Sequence, residues 1–100
     1  MSTLKVDVGP AHEVFKALGC EARIRIVRTL RERALCVGAL AARLQMTESA
    51  VSQHLRVLRT AGLVVSDKRA NFVHYSLSPR AREICEAAVR EVLGRAVEAD

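Results

Sequence analysis

The sequence predicts a mainly α-helical fold with a small β component (α+β), in the order helix, helix, helix, helix, β-hairpin, helix. Three observations predict it. Apolar residues recur at helical spacing from Gly9 to about Ala61, with glycine and proline at the breaks. Between Leu63 and Leu77 the period falls to two. After Ser78-Pro79 the helical period returns and runs to the end of the chain. One hundred residues suit one domain, residues 1–100, with no repeat or linker inside it. A core of that size is modest, so pairing with a second copy is expected to add burial.

Gly9-Pro10 opens the first helix, with proline suited to the first helical position. Ala11, Val14, Phe15 and Leu18 follow on one face, and Gly19 closes it. Cys20 to Arg33 reads as the second helix, with Ile24, Val27 and Leu30 inward and Arg23, Arg25, Arg28, Arg31 and Arg33 outward. Val37, Leu40, Ala41 and Leu44 mark a short third helix. Gln45-Met46-Thr47 connects it to a fourth, which Thr47 caps and which runs from Glu48 to about Ala61 before stopping at Gly62. Leu63–Ser66 and Phe72–Leu77 read as strands joined by the polar stretch Asp67–Asn71. Val73, Tyr75 and Leu77 share one face of the second strand, and Phe72, His74 and Ser76 the other. Ser78 is expected to cap the last helix and Pro79 to be its first residue. Ile84, Ala88, Val92 and Ala96 form its apolar stripe, widened by Cys85, Ala87, Val89 and Leu93.

Composition excludes several function classes. Three aromatics and no tryptophan leave no platform for stacking single-stranded bases. No apolar run approaches the roughly 18 residues that span a bilayer, and the N-terminus lacks signal-peptide architecture. A cytoplasmic protein without a membrane partner is expected. Three widely spaced cysteines make no disulfide framework. The net charge of +5 is unevenly placed. Residues 21 to 80 carry eleven basic and four acidic side chains, a net +7, whereas residues 81 to 100 are net −2. A basic block of this kind suits a polyanion such as nucleic acid, although a solvated arginine-rich surface has the same count.

The third and fourth helices resolve that ambiguity. A short helix, a three-residue turn and a capped second helix make a helix-turn-helix, whose second helix can enter the major groove of double-stranded DNA. Thr47, Ser49, Ser52, Gln53 and His54 lie near that helix's N-terminus and can reach base edges. Ser49, Ser52 and Gln53 share one side at i, i+3, i+4 spacing, opposite Val51, Leu55 and Leu58. Arg56 and Arg59 suit phosphates. Lys68 and Arg69, at the hairpin tip, complete a winged helix-turn-helix. The competing reading, an ordinary amphipathic helix with a polar face, does not account for the turn, the hairpin and the charge together.

These residues resemble a known family. Val51-Ser52-Gln53-His54-Leu55-Arg56-Val57-Leu58 and Ala61-Gly62-Leu63-Val64 are similar to the recognition helix of the ArsR/SmtB repressors. The stretch from Leu18 to Ile26 resembles their second-helix signature, Leu35-Cys36-Val37 the start of their third helix, and Val73 to Pro79 their second wing strand. The resemblance covers residues 11 to 80 strongly and the last helix loosely. It implies a homodimer paired through its first and last helices. It also implies binding to an imperfect palindromic operator, with base contacts from the positions of Ser49, Ser52 and Gln53. Glu48 stands where a neutral glutamine is common, and a carboxylate repels phosphate.

The same resemblance makes a thiophilic metal or metalloid ion a candidate inducer. Cys36 matches the first cysteine of the family's Leu-Cys-Val-Cys motif, but Gly38 holds the place of the second. Soft ions need two or three thiolates, so Cys36 alone is an incomplete site and thiol modification is the other candidate signal. Cys20, across the second helix, cannot complete it within one protomer, and Cys85 reads as part of an apolar stripe. The family's other metal site draws on histidine in the last helix, and residues 79–100 have none. His12 and His74 lack ligands at metal-site spacing.

No metalloprotease, phosphate-loop, dinucleotide or nucleophile-elbow motif is present. The Ser2-to-Lys5 match to a Ser-x-x-Lys pattern has no partner residues. The rivals to a DNA-binding regulator are a winged-helix module that contacts proteins and, less well supported, a small thiol-dependent enzyme using Cys20 or Cys36.

Overall fold

A computed structural model describes residues 9–95. Eight elements follow in order: α1 (Gly9–Leu18), α2 (Glu21–Leu30), β1 (Leu35–Cys36), α3 (Val37–Leu44), α4 (Glu48–Thr60), β2 (Val64–Arg69), β3 (Phe72–Leu77) and α5 (Ala81–Leu93). The three strands form an antiparallel sheet in the order β1-β3-β2. The expected architecture is therefore present: a winged helix-turn-helix with one helix before it and one after.

The main core gathers Ile26 and Leu30 from α2, Leu40, Ala41 and Leu44 from α3, and Val51, Leu55 and Leu58 from α4. Leu63, Val64 and Ala81 close it below the sheet. A smaller cluster of Ala11, Val14 and Ala88 joins α1 to α5. The end of α4 is set by backbone chemistry. Leu63 N–H donates to Leu58 C=O (3.0 Å) and Gly62 N–H to Arg59 C=O (2.9 Å), a Schellman closure. Gly62 has φ +81, and a Cβ there would meet Ile84 Cδ1 at 3.1 Å. The positive φ favours glycine, and a Cβ would in addition press on the end of the Ile84 side chain.

Several boundaries differ from the sequence expectation. The second helix stops at Leu30 instead of Arg33, because Arg31 to Arg33 are exposed and have no apolar partner to hold them helical. Its deepest residue is Ile26, fully buried, whereas Ile24 is half-buried. Leu35-Cys36 is not the start of the third helix but a short strand, paired with Tyr75 and His74. The hairpin is longer and tighter than expected: β2 reaches Arg69, and a two-residue turn, Ala70-Asn71, replaces a five-residue connection. The last helix begins at Ala81. Ser78 Oγ accepts from Arg80 N–H (3.1 Å), so Ser78 and Pro79 form a turn ahead of it. Ala96, the last residue of the expected stripe, and the Ser2–Lys5 pattern lie outside the described residues.

The helix-turn-helix connection holds one strained residue. Gln45 has φ 57 and ψ 48, left-handed for a residue with a Cβ, and its N–H bonds Ala41 C=O to end α3. Gln45→Gly is expected to raise stability by about 0.5–1 kcal/mol, read as a higher midpoint in urea with an unchanged slope.

Candidate nucleic-acid interface

The fourth helix carries the polar surface that the sequence pattern assigns to DNA. Val51, Leu55 and Leu58 are buried, and Ser49, Ser52, Gln53 and Arg56 are exposed on the opposite side. Thr47 Oγ1 accepts the N–H of Ala50 at 3.1 Å, so its hydroxyl is used as the helix cap. Glu48 turns back on the protein. Its carboxylate lies where a Cβ on Gly38 would stand 3.5 Å away, beside the first turn of α3. A negative charge is favoured near a helix N-terminus, and this placement separates Glu48 from the serine and glutamine face.

His54 has a different position from its neighbours. It is half-buried, and Arg23 Nη1 donates to its Nδ1 at 3.2 Å. Arg23 also donates through Nε to Ala17 C=O (2.7 Å) and through Nη2 to Lys16 C=O (3.2 Å), at the C-terminus of α1. One guanidinium thereby ties α1 and α2 to α4. His54 therefore takes part in this joint as well as lying on the helix that the sequence pattern assigns to DNA. As an acceptor, Nδ1 must be unprotonated, which leaves the proton on Nε2. Burial, and then the Arg23 charge, hold the His54 pKa below its ordinary value of 6.5.

The sign of the pH effect follows. Between the lowered folded pKa and 6.5, the unfolded chain binds the proton better, so stability rises with pH in that window and is lost as pH falls through it. Acidification below about pH 6.5 is expected to lower the thermal midpoint more steeply in the wild type than in His54→Gln, whose amide oxygen can still accept from Arg23. Equal slopes for the two proteins would show that this joint does not sense protons.

The sequence reading placed Arg25 among solvent-facing arginines, yet its Nη2 donates to Leu44 C=O at 3.3 Å and caps the end of α3. Tyr75 also has a place that was not foreseen. The inner face of the hairpin meets α4, and a cleft of about 250 Å³ opens between Tyr75 and Ser52, Leu55, Arg56 and Arg59. Two guanidinium groups and two hydroxyl-bearing residues around one opening make a cradle of the right chemistry for a phosphate. The alternation in β3 groups Tyr75 with Val73 and Leu77 on one face, and the missing information is which helix that face opposes. At the wing, Lys68 and Arg69 are both exposed, and Arg69 Nε pairs with Asp67 Oδ2 at 3.0 Å. Such a surface pair is weak and exchanges readily for a phosphate.

The cysteines are separated in the fold. Cys20 precedes α2 and Cys36 precedes α3, and neither side chain caps its helix. Cys85 is half-buried on α5, where burial, and then Glu86, push its thiol pKa up and favour the inert protonated form. Cys36 pairs with His74, which pairs in turn with Asp67, so the three residues form one row across the sheet. His74 Nδ1 is buried without a hydrogen-bond partner. Among the described residues, no group of three His, Cys, Asp or Glu side chains could hold a metal ion. One thiol without a second sulfur does not fit a soft ion within a protomer. His12 is exposed on α1. Among the described residues, no helix is long and apolar enough to cross a membrane.

The family model for bacterial regulatory proteins of the arsR family matches residues 20–66, from the start of α2 into β2. The chain is 45% identical over 65 residues to the transcriptional activator HlyU of Vibrio cholerae, covering 65% of this chain and 60% of that protein. It is 41% identical over 68 residues to the arsenical resistance operon repressor of Escherichia coli, covering 67% and 58% respectively. The chain thus spans about three-fifths of the length of these curated relatives. A solved structure of Vibrio cholerae HlyU superposes with a TM-score of 0.69 at 36% identity, covering 87% of this chain and 96% of that one.

Proposed function

Because the chain belongs to the ArsR family of bacterial transcriptional regulators, we propose that it is a cytoplasmic, homodimeric repressor that binds an imperfect palindromic operator in double-stranded DNA. The observation that carries the reading is the division of α4 into a buried apolar side and an exposed side of Ser49, Ser52 and Gln53, with Arg56 and Arg59 beside it. Small polar side chains there reach base edges in the major groove, and the arginines, with Lys68 and Arg69 of the wing, engage phosphates. His54 orients the helix through Arg23, and Thr47 fixes its first turn. Relatives named as activator and as repressor both exist, so the direction of regulation is part of the proposal.

Modification of the Cys36 thiol is the release signal best supported by its position. Cys36 belongs to β1 and directly precedes α3, so it joins the sheet to the first helix of the helix-turn-helix. A group added to its sulfur would crowd His74 and shift α3 against the wing. The test uses duplex selected from a random pool by the protein itself. Binding is then measured for the wild type and for Cys20→Ser, Cys36→Ser and Cys85→Ser, with peroxide, persulfide, arsenite, zinc or cadmium added. Release by peroxide or persulfide that Cys36→Ser abolishes supports the reading. Release that survives in Cys36→Ser, or no release by any agent, overturns Cys36 as the sensor. Release by an ion alone would point to ligands shared between two subunits.

A further inference from the structure

Seven large hydrophobic side chains are exposed among the described residues, and they fall into two groups. Phe15, Val89, Val92 and Leu93 lie on α1 and α5, the face assigned to the second subunit. The other three, Val65, Phe72 and Val73, lie on the hairpin, and Phe72 is 62% exposed at its tip. Dimerisation through α1 and α5 does not explain them.

The register shows how the tip is built. Its last two rungs pair Lys68 with Val73 and Arg69 with Phe72. Residues paired across an antiparallel ladder project to the same face, so each face of the tip holds one cation beside one apolar side chain. The cations lie along β2, the edge strand, and the apolar residues along β3. The strand from Val64 to Arg69 takes five residue steps, about 17 Å at strand rise. Half of one DNA turn is also about 17 Å, the distance along the duplex from a major-groove contact to the neighbouring minor groove.

We infer that the wing tip is a minor-groove wedge. Lys68 and Arg69 hold the flanking phosphates, and Phe72 presses between base pairs, unstacking one step and bending the operator. Apolar wedges beside basic side chains are a general means of opening the minor groove, and the exposed apolar area regains burial on binding. The inference rests on the DNA-binding reading above, and its test separates the two.

Wild type, Phe72→Ser, Phe72→Leu and the double variant Ser52→Ala/Gln53→Ala are compared on the selected duplex. Affinity is read by anisotropy, bending by end-to-end energy transfer, and unstacking by 2-aminopurine placed along the flanks. The expected result is a bend of tens of degrees and a 2-aminopurine signal outside the major-groove contacts in the wild type. Phe72→Ser should lose both, together with about ten-fold in affinity, with an unchanged salt slope. Phe72→Leu should retain part of each. The phenylalanine is exposed, so thermal midpoints should match. Binding that depends on Ser52 and Gln53, with bend and affinity indifferent to Phe72, overturns the wedge and leaves the DNA-binding reading standing. A Phe72→Ser change seen only in sedimentation makes the tip a protein contact and also overturns it. Failure of the wild type to bind any duplex overturns both.

Discussion

Replacing Gln53 with alanine should lower the affinity of the proposed dimer for its selected duplex by about two orders of magnitude without changing the salt dependence. Gln53 is exposed on the side of α4 opposite Val51 and Leu55, and a glutamine can make a bidentate contact with adenine. Such a contact discriminates by about 1–3 kcal/mol, and a two-fold symmetric dimer uses it twice. The arginines should behave differently. Arg56, Arg59, Lys68 and Arg69 of each protomer would neutralise about eight phosphates in all, giving a slope near −7 in log affinity against log salt. Between 50 and 200 mM salt that amounts to about ten-thousand-fold. Arg59→Ala should reduce the slope by about two and weaken selected and random duplex alike. Fluorescence anisotropy over a salt series distinguishes the two effects. A Gln53→Ala protein that binds its selected duplex as tightly as before would remove α4 as the reading element.

The contrast between Gln53 and Arg23 shows what was legible in the sequence. Gln53, Ser49 and Ser52 were found because a helical period sorts buried from exposed positions without knowledge of the fold. The Schellman end at Gly62 and the cap at Thr47 were readable for the same reason, since both are local chemistry within a few residues. Arg23 was not readable. Its partners are Lys16, Ala17 and His54, and only the packing of α1 and α4 around α2 brings His54 within reach. Arg23 and Arg25 were grouped with Arg28 and Arg31 as a solvated basic face because charge has no period that reveals its partner.

Strand β1 illustrates a second limit. Leu35-Cys36 has no length in which alternation can be seen, and its extended form is created by β3 beside it. Tertiary pairing overrode the local preference, and the third helix consequently starts at Val37. The same pairing sets Cys36 against His74, so the environment of the candidate sensor was hidden along with the strand. The wing tip lay between these extremes. Its residues were visible, but Asp67 to Asn71 resembles a polar loop until the Lys68–Val73 and Arg69–Phe72 rungs show that the strands continue.

A carboxylate placed on the outer face of α5 should split the dimer and nearly abolish operator binding. Val89, Val92 and Leu93 are 43% to 76% exposed, while Ala88 of the same helix is buried against α1. The helix thus has one face satisfied within the protomer and a second, apolar face turned outward, and Phe15 of α1 is exposed as well. Burying a side chain of this size contributes about 1.5–3 kcal/mol, and an isologous interface counts each one twice. Val92→Glu would set a carboxylate from each subunit into that surface, at a cost in desolvation that the remaining apolar contacts cannot offset. Sedimentation should show a monomer of unchanged fold, because Val92 contributes nothing to the buried core. The monomer holds one recognition helix and loses the second, intramolecular binding event, which multiplies affinity by about 10²–10⁴. The loss at the palindrome should therefore exceed that of Gln53→Ala, while binding to an isolated half-site stays at the level of one wild-type protomer. A Val92→Glu protein that still sediments as a dimer would place the two-fold axis elsewhere. The exposed face of α5 would then need another partner.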